Sequence, residues 1–144
     1  TYIAKGRIDL KDDVAFREHI DVISCFGRNI NKHQSGGSMH PKEKGKLIWF
    51  PKLYKNGEWD NSISDDEMTI YERNVDPKKA KEHIDRQRSK GPFTRIVFAH
   101  VKSPLGGTMY RFKGEYQLDQ KRTDYKMGLV WVRTSDSVRT YSPE

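Results

Sequence analysis

The sequence is poor in the residues that staple or anchor small proteins. Its single cysteine, Cys25, excludes an internal disulfide and any multi-cysteine zinc centre. No apolar run approaches the length that crosses a bilayer, and no signal-peptide pattern occurs. An intracellular, cytoplasmic setting without a membrane partner is therefore expected. Metal-ligand spacing is missing too: His19, His33, His40, His83 and His100 are scattered, with no His-x-x-x-His pair. The glycine pairs Gly36-Gly37 and Gly106-Gly107 do not open a helix after a strand, as a phosphate cradle requires. Neither an internal repeat nor a low-complexity tract stands out. The sequence thus predicts no cofactor and no resident metal.

What is present is enough for one packed domain. The 144 residues are 34% hydrophobic, 33% charged and 11% aromatic. The apolar residues gather in strand-like runs, which argues against disorder. A single domain spanning 1–144 is expected, read as a piece of a longer protein that carries any catalysis elsewhere. Lys and Arg outnumber Asp and Glu 27 to 20, giving a net charge of +7. Such a surface concentrates polyanions, although a soluble domain can carry the same charge with no partner.

Residues 1–10 read as a short strand. Residues 11–26 place Val14, Phe16, Ile20, Ile23 and Phe26 on one face and predict a helix ended by Gly27, with a strand over Val22–Phe26 as the alternative. Residues 28–46 read as a long basic loop. Leu47–Phe50 is a buried strand closed by Pro51, followed by a turn at Lys55–Glu58 and an acidic loop at 60–67. A strand at Met68–Arg73 precedes the clearest helix, 76–90, with Asp76 as N-cap, Pro77 in the first turn and Gly91-Pro92 beyond its end. Phe93–Val101, Tyr110–Leu118 and Met127–Arg133 read as strands. Five or six strands with two helices and no βαβ alternation predict an α+β domain on a mixed, curled sheet.

Enzyme signatures are thin. A metal-dependent nuclease would need clustered carboxylates with a lysine; Asp65, Asp66 and a lysine such as Lys102 are the only candidates, and no Glu-x-Lys strand follows them. Cys25 reads as a structural thiol. A binding module is favoured instead. Trp49 and Phe50 are adjacent, so a strand sends one to each face. Tyr54, Trp59 and Tyr71 lie near turns and strand ends, where rings can either fill core or stack on a base. Stacking contributes roughly 1–3 kcal/mol per base and flipping costs a few kcal/mol, so a base pocket also needs hydrogen bonds to the base edge. Asp60, Asn61, Asp65 and Asp66 are the nearby groups that could accept an exocyclic amine. Lys52, Lys55, Arg73, Lys102, Arg111, Lys113, Lys121 and Arg122 fall at strand ends and loops, placed for phosphates; such contacts position a duplex without reading it. Two further binding readings stay open: an RNA-binding module, and a protein-interaction domain using the basic face of the 77–90 helix.

Tyr110-Arg-Phe-Lys-Gly-Glu-Tyr116, followed by Gly128-Leu-Val-Trp-Val-Arg133, resembles the SRA (SET and RING-associated) domains within the PUA-like barrels. Upstream, Asp65-Asp66 and Thr69-Ile-Tyr71 resemble that family's acidic turn and pocket strand. Lys113 stands where the family has an aspartate, and Glu-Arg follows Tyr71 in place of Thr-Gly. The resemblance implies a curled pseudo-barrel with two flanking helices that grips duplex DNA and flips a modified cytosine, such as 5-methylcytosine, into a pocket. On that basis Tyr71 would stack on the base, and Asp65 or Asp66 would accept its amine, with Tyr54, Trp59 and Asp60 nearby. The resemblance also implies a non-catalytic specificity domain of a bacterial, modification-dependent restriction system, accompanied by nuclease or helicase domains.

Overall fold

A computed structural model describes residues 1–27 and 36–143. The chain begins with helix α1 (Tyr2–Lys5), capped by the Thr1 side chain and stopped by Gly6 in the left-handed region, and strand β1 (Arg7–Asp9) follows. Only the second half of the strand expected over 1–10 therefore forms. The helix expected over 11–26 is also corrected. A 3-10 turn at Leu10–Asp12 ends on Asp13 at φ 53°, and β2 (Ala15–Phe16) then pairs with Tyr110 and Arg111. Only α2 (His19–Ile23) is helical, burying His19, Val22 and Ile23. The apolar spacing marked the buried side chains but not the backbone, because pairing with a neighbouring strand outweighed a weak helical pattern. The described part of the basic 28–46 segment contains β3 (Gly37–Met39) and the start of β4 (Lys46–Trp49); residues 28–35 lie outside the described part.

The expected turn after Pro51 is a hairpin of β5 (Lys55–Asn56) and β6 (Trp59–Asp60), turning at Gly57 with φ 63°. The segment read as an acidic loop contains the end of that hairpin and β7 (Ser62–Ile63), which pairs with β8 (Thr69–Glu72). Helix α3 (Pro77–Lys90) forms as expected: the Asp76 carboxylate accepts the amides of Lys78 and Lys79, and Gly91 closes the other end. It buries Ala80, Ile84 and Gln87 and leaves its lysines outside. The remaining strands are β9 (Thr94–Lys102), β10 (Thr108–Leu118), β11 (Leu129–Ser135) and the short β12 (Ser137–Arg139), which pairs with β1.

The main sheet runs β3-β4-β9-β10-β11-β8-β7, with β2 attached to β10. It is mixed, because β4 lies parallel to β9 while the other pairs are antiparallel. The path ends on β3 and β7, so the curl does not close. Alternation along β9 splits the core in two. Ile96 and Phe98 pack with Phe26, Ile48, Phe50 and Phe112, whereas Val97 packs with Trp49, Ile70, Ile84, Tyr116 and Trp131. Trp49 and Phe50 do point to opposite cores, as adjacent strand residues must.

Lys113 occupies a bulge in β10: Phe112 pairs with Phe98 and Gly114 with Val97, leaving Lys113 as the extra residue. The bulge aims its ammonium at Glu67, 2.8 Å away. Tyr116 donates its hydroxyl to the Glu67 carbonyl at 2.6 Å, and burial pushes that phenol up to about 12.

Candidate nucleic-acid interface

The end of β4, the β5–β6 hairpin, β8, β9 and β10 surround a cavity of about 490 Å³. This lies within the usual span of ligand sites, roughly 300–1,000 Å³. One wall is a continuous aromatic cluster. His19 stacks on Phe50 with centroids 4.1 Å apart and planes at 17°, and Tyr110 lies 4.3 Å from His19 and 5.5 Å from Phe50. His100 extends this wall, 5.6 Å from Tyr110, and its Nδ1 is 3.1 Å from the Tyr54 hydroxyl. Burial, with Lys52 nearby, lowers His100 from its ordinary value, so this wall segment is uncharged at neutral pH. Trp59 of β6 also lines the cavity.

The polar lining is small and directional. Asn61 is buried, and its side-chain oxygen accepts the Arg73 amide at 3.0 Å. Its amide nitrogen has no hydrogen-bond partner among the described residues, so it presents donors. Glu72 presents the opposite character. Its Oε1 accepts from Arg95 at 2.9 Å and from the Trp131 indole at 3.2 Å, while its Oε2 lies 3.3 Å from His83 Nε2. Burial alone would raise the Glu72 carboxyl, but Arg95 first, then His83 and Trp131, overcome that and hold it at about 2. The group is thus a buried, ionised acceptor.

Arg95 is buried beneath it, its guanidinium carbon 4.4 Å from the Trp49 ring and 4.0 Å from the Trp131 ring. Its other nitrogen donates to Gln87 of α3 at 3.2 Å. Burial lowers Arg95 from its ordinary value and Glu72 opposes this, so the pair stays charged. One guanidinium therefore locks β4, β8, β11 and α3 around the carboxylate.

The chain matches the SET and RING associated domain family over residues 1–140. It belongs to the SRA domain family. No curated protein matches this SRA domain. The solved structure titled the 5-hydroxymethylcytosine-specific restriction enzyme AbaSI is similar to it, with a TM-score of 0.94 and 44% identity over 99% of this chain and 45% of that chain. The SRA domain thus spans less than half the length of the AbaSI chain.

Of the pocket residues read from the sequence, the SRA domain brings Trp59 into the cavity lining. Tyr54 stands behind His100 and lines a neighbouring apolar cavity of about 450 Å³ with Leu53, Ile63 and Val101. Asp60 is paired with Arg73 at 2.6 Å and shares an outer depression with Tyr71, whose hydroxyl accepts from Arg122 at 3.1 Å. Asp65 and Asp66 sit in the turn from β7 to β8, outside the cavity lining. Asp66 is occupied there by the Ser64 hydroxyl at 2.7 Å and the Met68 amide at 3.0 Å.

The basic residues divide in the same way. Arg73, Arg111 and Lys113 pair with Asp60, Asp13 and Glu67 respectively. Arg122 is held by Tyr71, and Lys55 donates to the Gly57 carbonyl at 3.1 Å. Lys52, Lys102 and Lys121 are exposed and have no carboxylate partner among the described residues; Lys52 lies on the cavity lip. His19, Phe50, Glu72, His100 and Tyr110 were not singled out for the cavity from sequence. Glu72 carried a signal nonetheless, since it begins the Glu-Arg pair that departs from the family's pocket strand.

The nuclease candidates find no support in the geometry. No group of three or more His, Cys, Asp or Glu side chains that could hold a metal ion occurs among the described residues. No helix among them is long and apolar enough to cross a membrane.

Proposed function

We propose that this SRA domain binds duplex DNA containing a modified cytosine, with 5-hydroxymethylcytosine the leading candidate, and holds that base flipped out in the 490 Å³ cavity. The single observation that carries this reading is the pairing, in one aromatic-walled cavity, of an ionised acceptor at Glu72 with an amide donor at Asn61. A cytosine edge presents an exocyclic amine that donates and a ring nitrogen and carbonyl that accept. Glu72 accepts the amine, Asn61 donates to the neighbouring acceptors, and the base stacks between Trp59 and the Phe50–Tyr110 wall. Stacking at roughly 1–3 kcal/mol per base offsets part of the cost of unstacking, and the edge bonds supply the rest. The family membership and the likeness to AbaSI, itself titled 5-hydroxymethylcytosine-specific, support the same assignment.

Lys52, Lys102 and Lys121 contact phosphates and position the duplex without reading it. Residues 1–144 work as one recognition domain of a longer cytoplasmic protein, a modification-dependent restriction enzyme whose cleavage resides in a nuclease or helicase-coupled domain outside this sequence. The span of under half the AbaSI chain supports that division. The test is a binding panel of duplexes identical except for cytosine, 5-methylcytosine or 5-hydroxymethylcytosine at one position. Tighter binding to a modified duplex is expected; equal affinity for all three overturns the reading.

A further inference from the structure

No residue of α3 lines the cavity, yet one of them touches two of the groups that do. His83 is half-buried on the inward side of the helix, its side chain 19% exposed. Its ring meets Trp59 edge to face, with centroids 5.0 Å apart and planes at 77°. Its Nε2 stands 3.3 Å from Glu72 Oε2, the oxygen that Arg95 and Trp131 leave alone.

The proton on that ring can be placed from its neighbours. Nδ1 lies 3.4 Å from an Arg86 guanidinium nitrogen. A guanidinium only donates, so Nδ1 accepts and the ring hydrogen sits on Nε2, facing the carboxylate. That contact is misaligned: Nε2 is buried without a well-formed hydrogen bond. A buried donor left short of its partner is costly, and binding-site hydrogen bonds commonly tighten only when the ligand arrives. Arg95 fixes one carboxylate oxygen; His83 faces the other.

We infer that His83 is a positioning residue for base reading: its Nε2–H steers Glu72 Oε2 toward the exocyclic amine while its ring edge braces Trp59. The inference rests on the base-pocket reading above and extends it to a helix outside the cavity.

Three substitutions separate steering from packing. His83→Ala removes both contacts, His83→Phe keeps a ring against Trp59 without the donor, and His83→Gln keeps an amide donor without the ring. Each is measured against modified and unmodified duplexes of one sequence, with thermal unfolding as a folding control. His83→Ala and His83→Phe are expected to lower the modified-to-unmodified affinity ratio about tenfold, the scale of one hydrogen bond to a charged group. His83→Gln is expected to stay within about threefold of wild type on the same scale. A ratio unchanged in His83→Phe, or retained there and lost in His83→Gln, assigns the histidine to packing and overturns the inference while leaving the pocket intact. Loss of folding in all three overturns it likewise. Equal binding of both duplexes by the wild-type chain overturns the pocket and the inference together.

Discussion

Arg95 and Glu72 form a buried ion pair 2.9 Å apart, with the guanidinium packed against both Trp49 and Trp131. The pair is a structural lock, and its carboxylate lines the cavity. Its desolvation cost is offset by two further hydrogen bonds, from Trp131 to Glu72 and from Arg95 to Gln87. Arg95→Met keeps most of the volume packed against the indoles but leaves Glu72 as a buried, uncompensated charge. A loss of about 3–5 kcal/mol is expected. Urea unfolding checks this, through a lower midpoint with an unchanged slope.

The same pair sets an acid limit on the fold. The Glu72 carboxyl is held at about 2 against an ordinary value of 4.5, so as pH falls the unfolded chain takes up the proton first. Its stabilisation is complete above about 4.5 and is lost as pH falls toward about 2. The contribution is on the order of 3 kcal/mol. Urea midpoints measured across that window should fall in wild type. In Glu72→Gln the midpoint starts lower, and its gap to wild type should narrow with acid; a constant gap contradicts the assignment.

Trp59 and Tyr71 offer a direct contrast, because both were read from the sequence as pocket rings. Trp59 lines the cavity, whereas Tyr71 faces an outer depression and holds Arg122. Trp59→Ala should cost about 1–3 kcal/mol of binding to the modified duplex, the value of one stacking partner. Tyr71→Ala should leave the modified-to-unmodified ratio within about twofold, since a surface change away from the site seldom exceeds 0.5 kcal/mol. Competition binding with the two duplexes measures both. The reverse ranking would move the base to the outer depression.

That contrast also shows how much of the site was legible. The strand pair from Tyr110 to Arg133, the capped helix from Asp76 to Gly91 and the mixed sheet were readable, because caps, turns and alternation are local signals. The cavity was not, because it is assembled by long-range pairing. His19 meets Phe50 and Tyr110 only after β2 joins β10, and Asn61 meets Glu72 only through the short β7–β8 pairing. Asn61 was recognisable as polar and nearby, as an amine acceptor; its oxygen accepts the Arg73 amide, and its amide nitrogen adds donors to the lining. Asp65 and Asp66 stand out in the sequence as a carboxylate run, whereas the carboxylate that lines the cavity, Glu72, is solitary, buried and followed by an arginine.

Lys52, Lys102 and Lys121 have no carboxylate partner among the described residues, in contrast to Arg73, Arg111 and Lys113, which are neutralised within the fold. Each single Lys→Ala change should weaken modified and unmodified duplexes alike. Each should also reduce the magnitude of the slope of log affinity against log salt by about 1. Arg111→Ala should change that slope by less, since its charge is shared with Asp13. Titrations at several salt concentrations decide this; an effect confined to modified DNA would make the lysine a base-reading group.

Gly128 ties the opening of β11 to the same carboxylate. It adopts φ +85°, a region that other residues enter only under strain, and a Cβ there would lie 2.3 Å from the Glu72 carbonyl oxygen. Backbone is on both sides, so no side chain can swing away to make room. Gly128→Ala must therefore push β8 outward at Glu72 or tilt the start of β11. Either movement separates Glu72 from Trp131, because Leu129 pairs with Glu72 and Trp131 with Ile70 in one register. A stability loss of about 2 kcal/mol or more is expected from strain of this kind. Any folded Gly128→Ala protein should also discriminate poorly between modified and plain duplexes while keeping its salt slope. Unchanged discrimination would show that the position of Glu72 is not what reads the base.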